Sequence, residues 1–296
     1  MSPRKSDLAA IEAAVCRDVG RKTAELMAAT RGELAAAAES LAHARNIGLI
    51  TGFFVRRDNV AAPETDGPVG TALLASALST CGLTARIAVD EPCAVAVAAA
   101  VAAAGANVKV DVVADIAGTA AKWRDAHVDH VIAIERCGRS ADGKPRNMRG
   151  LDVSPWTLPL DDLFLGGRWK RLAVGDGGNE IGMGKLPAGL IARTVPNGEQ
   201  IACVTPCDHL IVAGVSNRGA YGLMAALAVV RPEWRDKIAT FLTAERDAGV
   251  TRAVVAAGGV DGVTAQRRPT VDGLDAEVHG ALIEELRRIA WGKTAA

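Results

Sequence analysis

"RLAVGDGGNEIGMGK", Arg171 to Lys185, passes from one kind of sequence to another without a break. Leu172, Ala173 and Val174 make a short apolar run of the kind that forms a buried strand. The stretch that follows, Gly175 to Lys185, holds five glycines together with Asp176, Asn179, Glu180 and Lys185. A strand running straight into a glycine-rich polar loop marks the carboxyl edge of a parallel sheet, where ligands bind in open α/β folds. The loop fits neither familiar phosphate-binding spacing. A Walker loop would need glycine at Asn179 and a hydroxyl residue at Leu186, and the dinucleotide pattern counted from Gly175 would put its last glycine on Glu180. Its carboxylates would also repel a bare phosphate. The loop therefore suits a cation, a proton or an ammonium group.

The same alternation of apolar run and polar loop recurs along the chain. "NIGLITGFFV" (46–55), "ARIAVD" (85–90), "ANVKVDVV" (106–113), "HVIAIE" (130–135) and "HLIVAG" (209–214) read as further strands. Between them, "PVGTALLASALSTCG" (68–82) and the alanine-rich stretch from Pro92 to Ala104 read as helices. Strands alternating with helices predict a three-layer α/β/α fold with a predominantly parallel sheet. Apolar residues spaced by three and four from Leu8 to about Ala44 predict an N-terminal helical arm over 1–45, ahead of one α/β domain over 46–296. "PETDGP", "DEP", "ERCGR", "GDGGNE" and "GVSNRG" each follow a strand, so their acids, amides and arginines should meet at one rim. The proline-rich connection from Ser140 to Leu165 is long for a compact domain, and long loops of this kind carry function.

Composition narrows the partners. The 296 residues include 34 Lys plus Arg and 34 Asp plus Glu, so no net field draws the chain to nucleic acid or to an anionic membrane. Aromatic residues are 3%, too few to suggest a base-stacking surface. The start lacks a secretory apolar core and no stretch reaches membrane-spanning length, which predicts a cytoplasmic protein acting on a small molecule, with a homo-oligomer left open. The six cysteines are expected to be reduced. Cys203, Cys207 and His209 lack a second pair to complete a zinc site, so they are read as ordinary core residues.

Several rim residues are candidates for chemistry. Asp176, Asn179 and Glu180 could ligate a hard cation or position a ligand; the bland alternative is a turn capped by its own side chains. Glu135, pulled inward at the end of its strand, could pair with Arg136 or Arg139, or leave those arginines to grip a substrate carboxylate. Thr65 and Asp66 precede a helix and Asn217 stands at the start of another, so each is either a cap or a ligand contact. No Ser or Cys sits in a nucleophile elbow, which argues against a hydrolase triad.

Taken together, "TGFFV" with "PETDGP", "IERCGR", "NMRG", "DDLF", "GDGGNEIGMGK", "VPNG", "AGVSNRGAYGL" and "DGVTAQRRPTVDGL" resemble the D-glutamate cyclase family, from about Asn46 to about Arg288. The chain would match the catalytic domain alone. Its departures are Arg218 after "SN", where an aromatic residue is usual, and the basic "RRPT" of 267–270. The resemblance implies a lyase that closes D-glutamate to 5-oxo-D-proline with loss of water. On that reading Asp176, Glu180 and Glu135 divide the acid and base work. Thr65, Asp66, Asn179, Asn217 and an arginine among Arg136, Arg139 and Arg149 hold the substrate. A divalent Mg or Mn ion on Asp176 and Glu180 could replace the general acid. The competing readings are a metal-dependent phosphatase and a non-catalytic amino-acid binding module. Two structural expectations follow: the carboxyls of Asp66, Glu135, Asp176 and Glu180 share one pocket, and Gly178 adopts positive φ.

Overall fold

A computed structural model describes residues 3–105 and 107–292. The outermost ends of both expected segments, and residue 106 of the run "ANVKVDVV", lie outside the described residues. The strands are β1 (Asn46–Thr51), β2 (Phe54–Arg57), β3 (Val60–Pro63), β4 (Thr84–Val89), β5 (Lys109–Val112), β6 (His130–Ile134), β7 (Lys170–Gly175) and β8 (His209–Val212). Three helices precede them: α1 (Pro3–Val15), α2 (Ala24–Ala29) and α3 (Glu33–Leu41). The others are α4 (Pro68–Thr80), α5 (Glu91–Ala104), α6 (Ile116–Asp125), α7 (Asp161–Leu165), α8 (Leu190–Thr194), α9 (Gly198–Ile201), α10 (Ser216–Val230), α11 (Arg235–Ala239), α12 (Ala244–Ala256) and α13 (Ala276–Trp291).

Six strands form one parallel sheet in the order β5-β4-β1-β6-β7-β8. Both faces are covered, and the alternation of side chains shows how. Ile132, Ile134, Leu172, Val174 and Ile211 pack with α1, α3, α4, α5, α10, α12 and α13. Their neighbours Val131, Ala133, Ala173, Leu210 and Val212 pack with α2, α6, α7 and α8. A strand segment buried on both sides is apolar at successive positions, which is why "VIAI" and "LAV" read as continuous runs. The expected three layers are present. Among the described residues no helix is long and apolar enough to cross a membrane.

The chain starts in the middle of the sheet at β1, builds outward through β4 and β5, then returns to lay β6 on the other side of β1. Ligands in such sheets bind outside the carboxyl ends of the strands where the direction reverses. Here that point lies beyond Thr51 and Ile134.

Two sequence readings change. "NIGLITGFFV" is not one strand: it breaks at Gly52, whose φ of +105° belongs to glycine, and Phe54–Arg57 joins Val60–Pro63 in a separate antiparallel hairpin. The N-terminal arm is helical but interrupted between Val15 and Ala24. Asp18 Oδ1 accepts the backbone N–H of Gly20 (3.0 Å) and Arg21 (2.8 Å), an Asp turn that ends the helical path. Helix α1 packs on α10 and α13, and α3 packs on α10 and β8, so the arm shares the main core.

Candidate functional site

A cavity of about 360 Å³ opens at the strand-end rim. Its acids are Glu64, Glu135, Asp176, Glu180 and Asp272; its arginines are Arg21, Arg56, Arg57 and Arg149, with Asn147, Met148 and Asn179 between them. Asp66 lies just beneath. One carboxylate oxygen from each of Asp66, Glu135 and Asp176 falls within 4.8 Å of the others. Of the four carboxyls expected to line one pocket, Glu135, Asp176 and Glu180 do so, whereas Asp66 does not line it and only approaches Glu135 and Asp176.

Each acid is held by a different device. Glu135 ends β6 with a left-handed φ of +44°, uncommon for a residue with a Cβ, and its Oε2 accepts the Ser216 hydroxyl at 2.6 Å. The loop after β7 is wound around Glu180: Oε1 accepts the N–H of Asp176 (2.9 Å) and Gly177 (2.6 Å), and Oε2 that of Gly178 (2.7 Å). Gly178 has φ +102°, as expected of this turn. Glu180 therefore shapes the loop with both oxygens, while Asp176 is left to face the cavity. Asp176 Oδ1 accepts Arg21 Nη1 at 2.5 Å, and Oδ2 is buried without a partner. Arg21 Nη2 lies 2.5 Å from Asp272 Oδ2, so one guanidinium from the arm bridges two aspartates.

Burial drives the electrostatics. It raises Glu135 well above the usual carboxylate range, reinforced by Asp176, Glu180 and Glu64. Glu64 is raised in the same way, by burial and then by Asp272 and Asp66, against the pull of Arg21 and a hydrogen bond with Glu135. Asp66 is pushed up to about 7 by burial and Asp272, although two backbone N–H groups and Arg21 oppose the shift. Asp176 rises by burial despite the adjacent Arg21. Desolvated carboxyls crowded around one buried guanidinium disfavour one another's ionisation, and Glu64, Glu135 and Asp176 are raised together.

The other expected site residues divide. Arg149 and Asn179 line the cavity, and Asn179 Nδ2 donates to Arg146 O at 2.7 Å. Arg136 does not line it: this fully buried guanidinium makes a bidentate pair with Asp90 (2.9 and 2.6 Å), so it serves the interior rather than Glu135 or a ligand. Arg139 also turns away, to Asp161 and Asp162. Thr65 Oγ1 donates to Thr270 O at 2.8 Å and so ties down the segment leading to Asp272. Asp66 and Asn217 exchange caps. Asp66 precedes α4 but accepts the N–H of Ser216 (2.9 Å) and Asn217 (2.7 Å) at the start of α10; Asn217 Oδ1 accepts those of Gly67 (2.9 Å) and Gly70 (2.8 Å) at the start of α4. The capping reading holds, but across helices. Cys203 is buried and His209 Nδ1 faces Glu33 at 3.2 Å, in keeping with ordinary structural roles.

Sequence reasoning passed over Arg21, Arg56, Glu64 and Asp272. Glu64 stood inside "PETDGP", where the strand-end rule should have included it, and Asp272 inside "TVDGL". Arg21 has no local signal, because an arginine in a turn of a helical arm looks like any surface arginine.

Residues 11–287 match the family model described as D-glutamate cyclase-like, C-terminal. The match begins inside the N-terminal arm. The chain is 33% identical over 218 residues to the protein named D-glutamate cyclase, mitochondrial, of Homo sapiens, an alignment covering 68% of this chain and 35% of that protein. The chain thus spans about a third of the length of this curated relative.

Proposed function

Because the chain belongs to the D-glutamate cyclase-like family, we propose that it closes D-glutamate to 5-oxo-D-proline with loss of water. The D configuration follows the family; the chemistry is supported by one observation in the cavity. A buried carboxylate oxygen on Asp176 without a partner lies in the cavity that Glu64 and Glu135 also line, two carboxyls that burial pushes well above the usual range.

The reaction joins the amine nitrogen to the γ-carbon and breaks one γ C–O bond. Two protons must leave nitrogen and two must join the departing oxygen. Asp176 takes the first proton from the ammonium, a task favoured by its raised basicity. The nitrogen then attacks, and the Glu64–Glu135 pair gives a proton to a γ-oxygen. The proton held by Asp176 completes the water, and the second nitrogen proton reloads the pair. Both reacting groups belong to one molecule, so holding it folded removes much of the entropic barrier. Arg21 fixes Asp176 and leaves only Oδ2 for the substrate.

The three hard carboxylate donors of Asp66, Glu135 and Asp176 also suit a divalent Mg or Mn ion, which would polarise the γ-carboxyl as a Lewis acid. That set keeps Asp176 and has Asp66 and Glu135 where Glu180 was expected. The test is a proton NMR time course with D-glutamate, L-glutamate and 5-oxoproline, with and without divalent metal. Lactam formation from D-glutamate is expected. Metal-dependent hydrolysis of a generic phosphate ester without lactam formation would replace this reading with the phosphatase, and stoichiometric binding without turnover with the binding module.

A further inference from the structure

A cavity lined by buried acids attracts an ammonium group and repels carboxylates, yet glutamate brings two carboxylates into it. One of them, the α-carboxylate, takes no part in ring closure and must be held away from the acids. Most of the arginines near the rim are already engaged. Arg136 is paired with Asp90, Arg139 with Asp161 and Asp162, and Arg21 with Asp176 and Asp272. Arg57 donates to Val263 O at 2.6 Å and lies beside Asp58, and Arg149 is exposed.

Arg56 differs. It lines the cavity from β2, half-buried, with its Cζ 4.5 Å from the centroid of the Trp156 ring. Among the described residues it forms no ion pair, unlike Arg21 and Arg57. Its Nε is buried without a partner, and Nη1 makes only a long contact of 3.4 Å to Val60 O. Stacking uses the face of a guanidinium and leaves its N–H edge free, so the indole fixes the group without occupying its donors. A positioned guanidinium with unused donors, beside acids that it does not neutralise, is suited to a planar anion brought by the ligand.

We infer that Arg56, backed by Trp156, receives the α-carboxylate of the substrate and thereby makes the cavity selective for amino acids in which that carboxylate is free. The inference rests on the proposed cyclisation for the identity of the substrate.

The test compares three ligands by ligand-observed NMR titration: D-glutamate, D-glutamine, whose γ-carboxyl is an amide, and D-isoglutamine, whose α-carboxyl is an amide. Arg56→Gln keeps the stem and removes the charge. It is expected to raise Kd for D-glutamate and D-glutamine by about 10- to 100-fold, the scale of a lost charge-assisted pair, and to leave Kd for D-isoglutamine unchanged. Equal weakening of all three ligands, or of none, overturns the inference. So does sparing of D-glutamine in place of D-isoglutamine, since Arg56 would then hold the γ end. Arg56→Lys, which keeps the charge but loses the fork, should give a smaller loss in the same ligand order and serves if the glutamine variant unfolds. Failure of the wild-type protein to form lactam would remove the proposed reaction but leaves the pattern of Kd values to judge Arg56.

Discussion

Asp176 carries its two oxygens into different surroundings, one bound by Arg21 and the other bare in a buried cavity. Asp176→Asn preserves the shape and removes the basicity, so lactam formation should fall by roughly 100-fold or more while thermal unfolding stays close to that of the parent. Full activity in a folded Asp176→Asn protein would take the residue out of the mechanism. Gly178→Val should act otherwise. At φ +102° a β-branched residue is strained, and its Cβ would lie 2.8 Å from Ile191 Cγ2. Both the unfolding temperature and the activity of that variant are expected to drop, which separates a loop-building residue from a reacting one.

Helices α4 and α10 start side by side, each capped by a residue from the other's entry, and Glu135 reaches this junction through Ser216. Asn217→Ala would leave the Gly70 N–H without its side-chain acceptor and the Gly67 N–H with Asp66 Oδ1 alone (3.0 Å), in a fully buried setting. The expected cost is about 2 kcal/mol, or roughly 4–8 °C in Tm. Calorimetry of Asn217→Ala would measure it, and an unchanged Tm would show that the exchanged cap contributes little. The N-terminal arm matters in the same structural way. Its interruption between α1 and α2 brings Arg21 to the rim, and Arg21→Ala should lower turnover although the residue lies far in sequence from the loop after β7. Turnover at the wild-type level in Arg21→Ala would separate the arm from the chemistry.

For the whole molecule, the buried acids make stability depend on pH in an uncommon direction. Asp66 is raised to about 7 and Asp247 to about 6, both chiefly by burial, and Glu64, Glu135 and Asp176 are raised for the same reason. A carboxyl that is a weaker acid when folded binds more protons folded than unfolded, so its stabilising contribution is complete below about pH 4 and is lost as pH rises through the folded value. His279, lowered to about 4 mainly by burial, acts oppositely: its contribution is lost as pH falls from about 6.5 toward 4. Acids lowered by partners, such as Asp152 near 2, lose their contribution only at still lower pH. Between pH 6 and pH 8 the raised acids outweigh His279, and Tm is expected to be higher at pH 6 than at pH 8. A scan of Tm against pH without ligand checks this; a Tm that rises steadily to pH 8 would contradict the raised carboxyls of the interior.

The chain's own residues announced the parallel sheet, the covering helices and the polar rim, because strand and helix periodicity and the turn chemistry of glycine, proline and aspartate are local properties. "RLAVGDGGNE" placed Asp176 correctly on that ground, and Gly178 declared its positive φ. Pairing was not legible. Arg136 is read from the sequence as a ligand residue and Arg56 is not, since an arginine's sequence neighbours do not say which acid it will meet. Packing brought Asp90 to Arg136, a partner 46 residues away, brought Arg21 to Asp176 across 155, and set the exchanged caps of Asp66 and Asn217 across about 150. Such contacts arise only when the sheet closes and strand ends remote in sequence come together. Local sequence therefore specified the elements and the rim, and tertiary contact chose which charges on that rim neutralise one another and which stay free for a ligand.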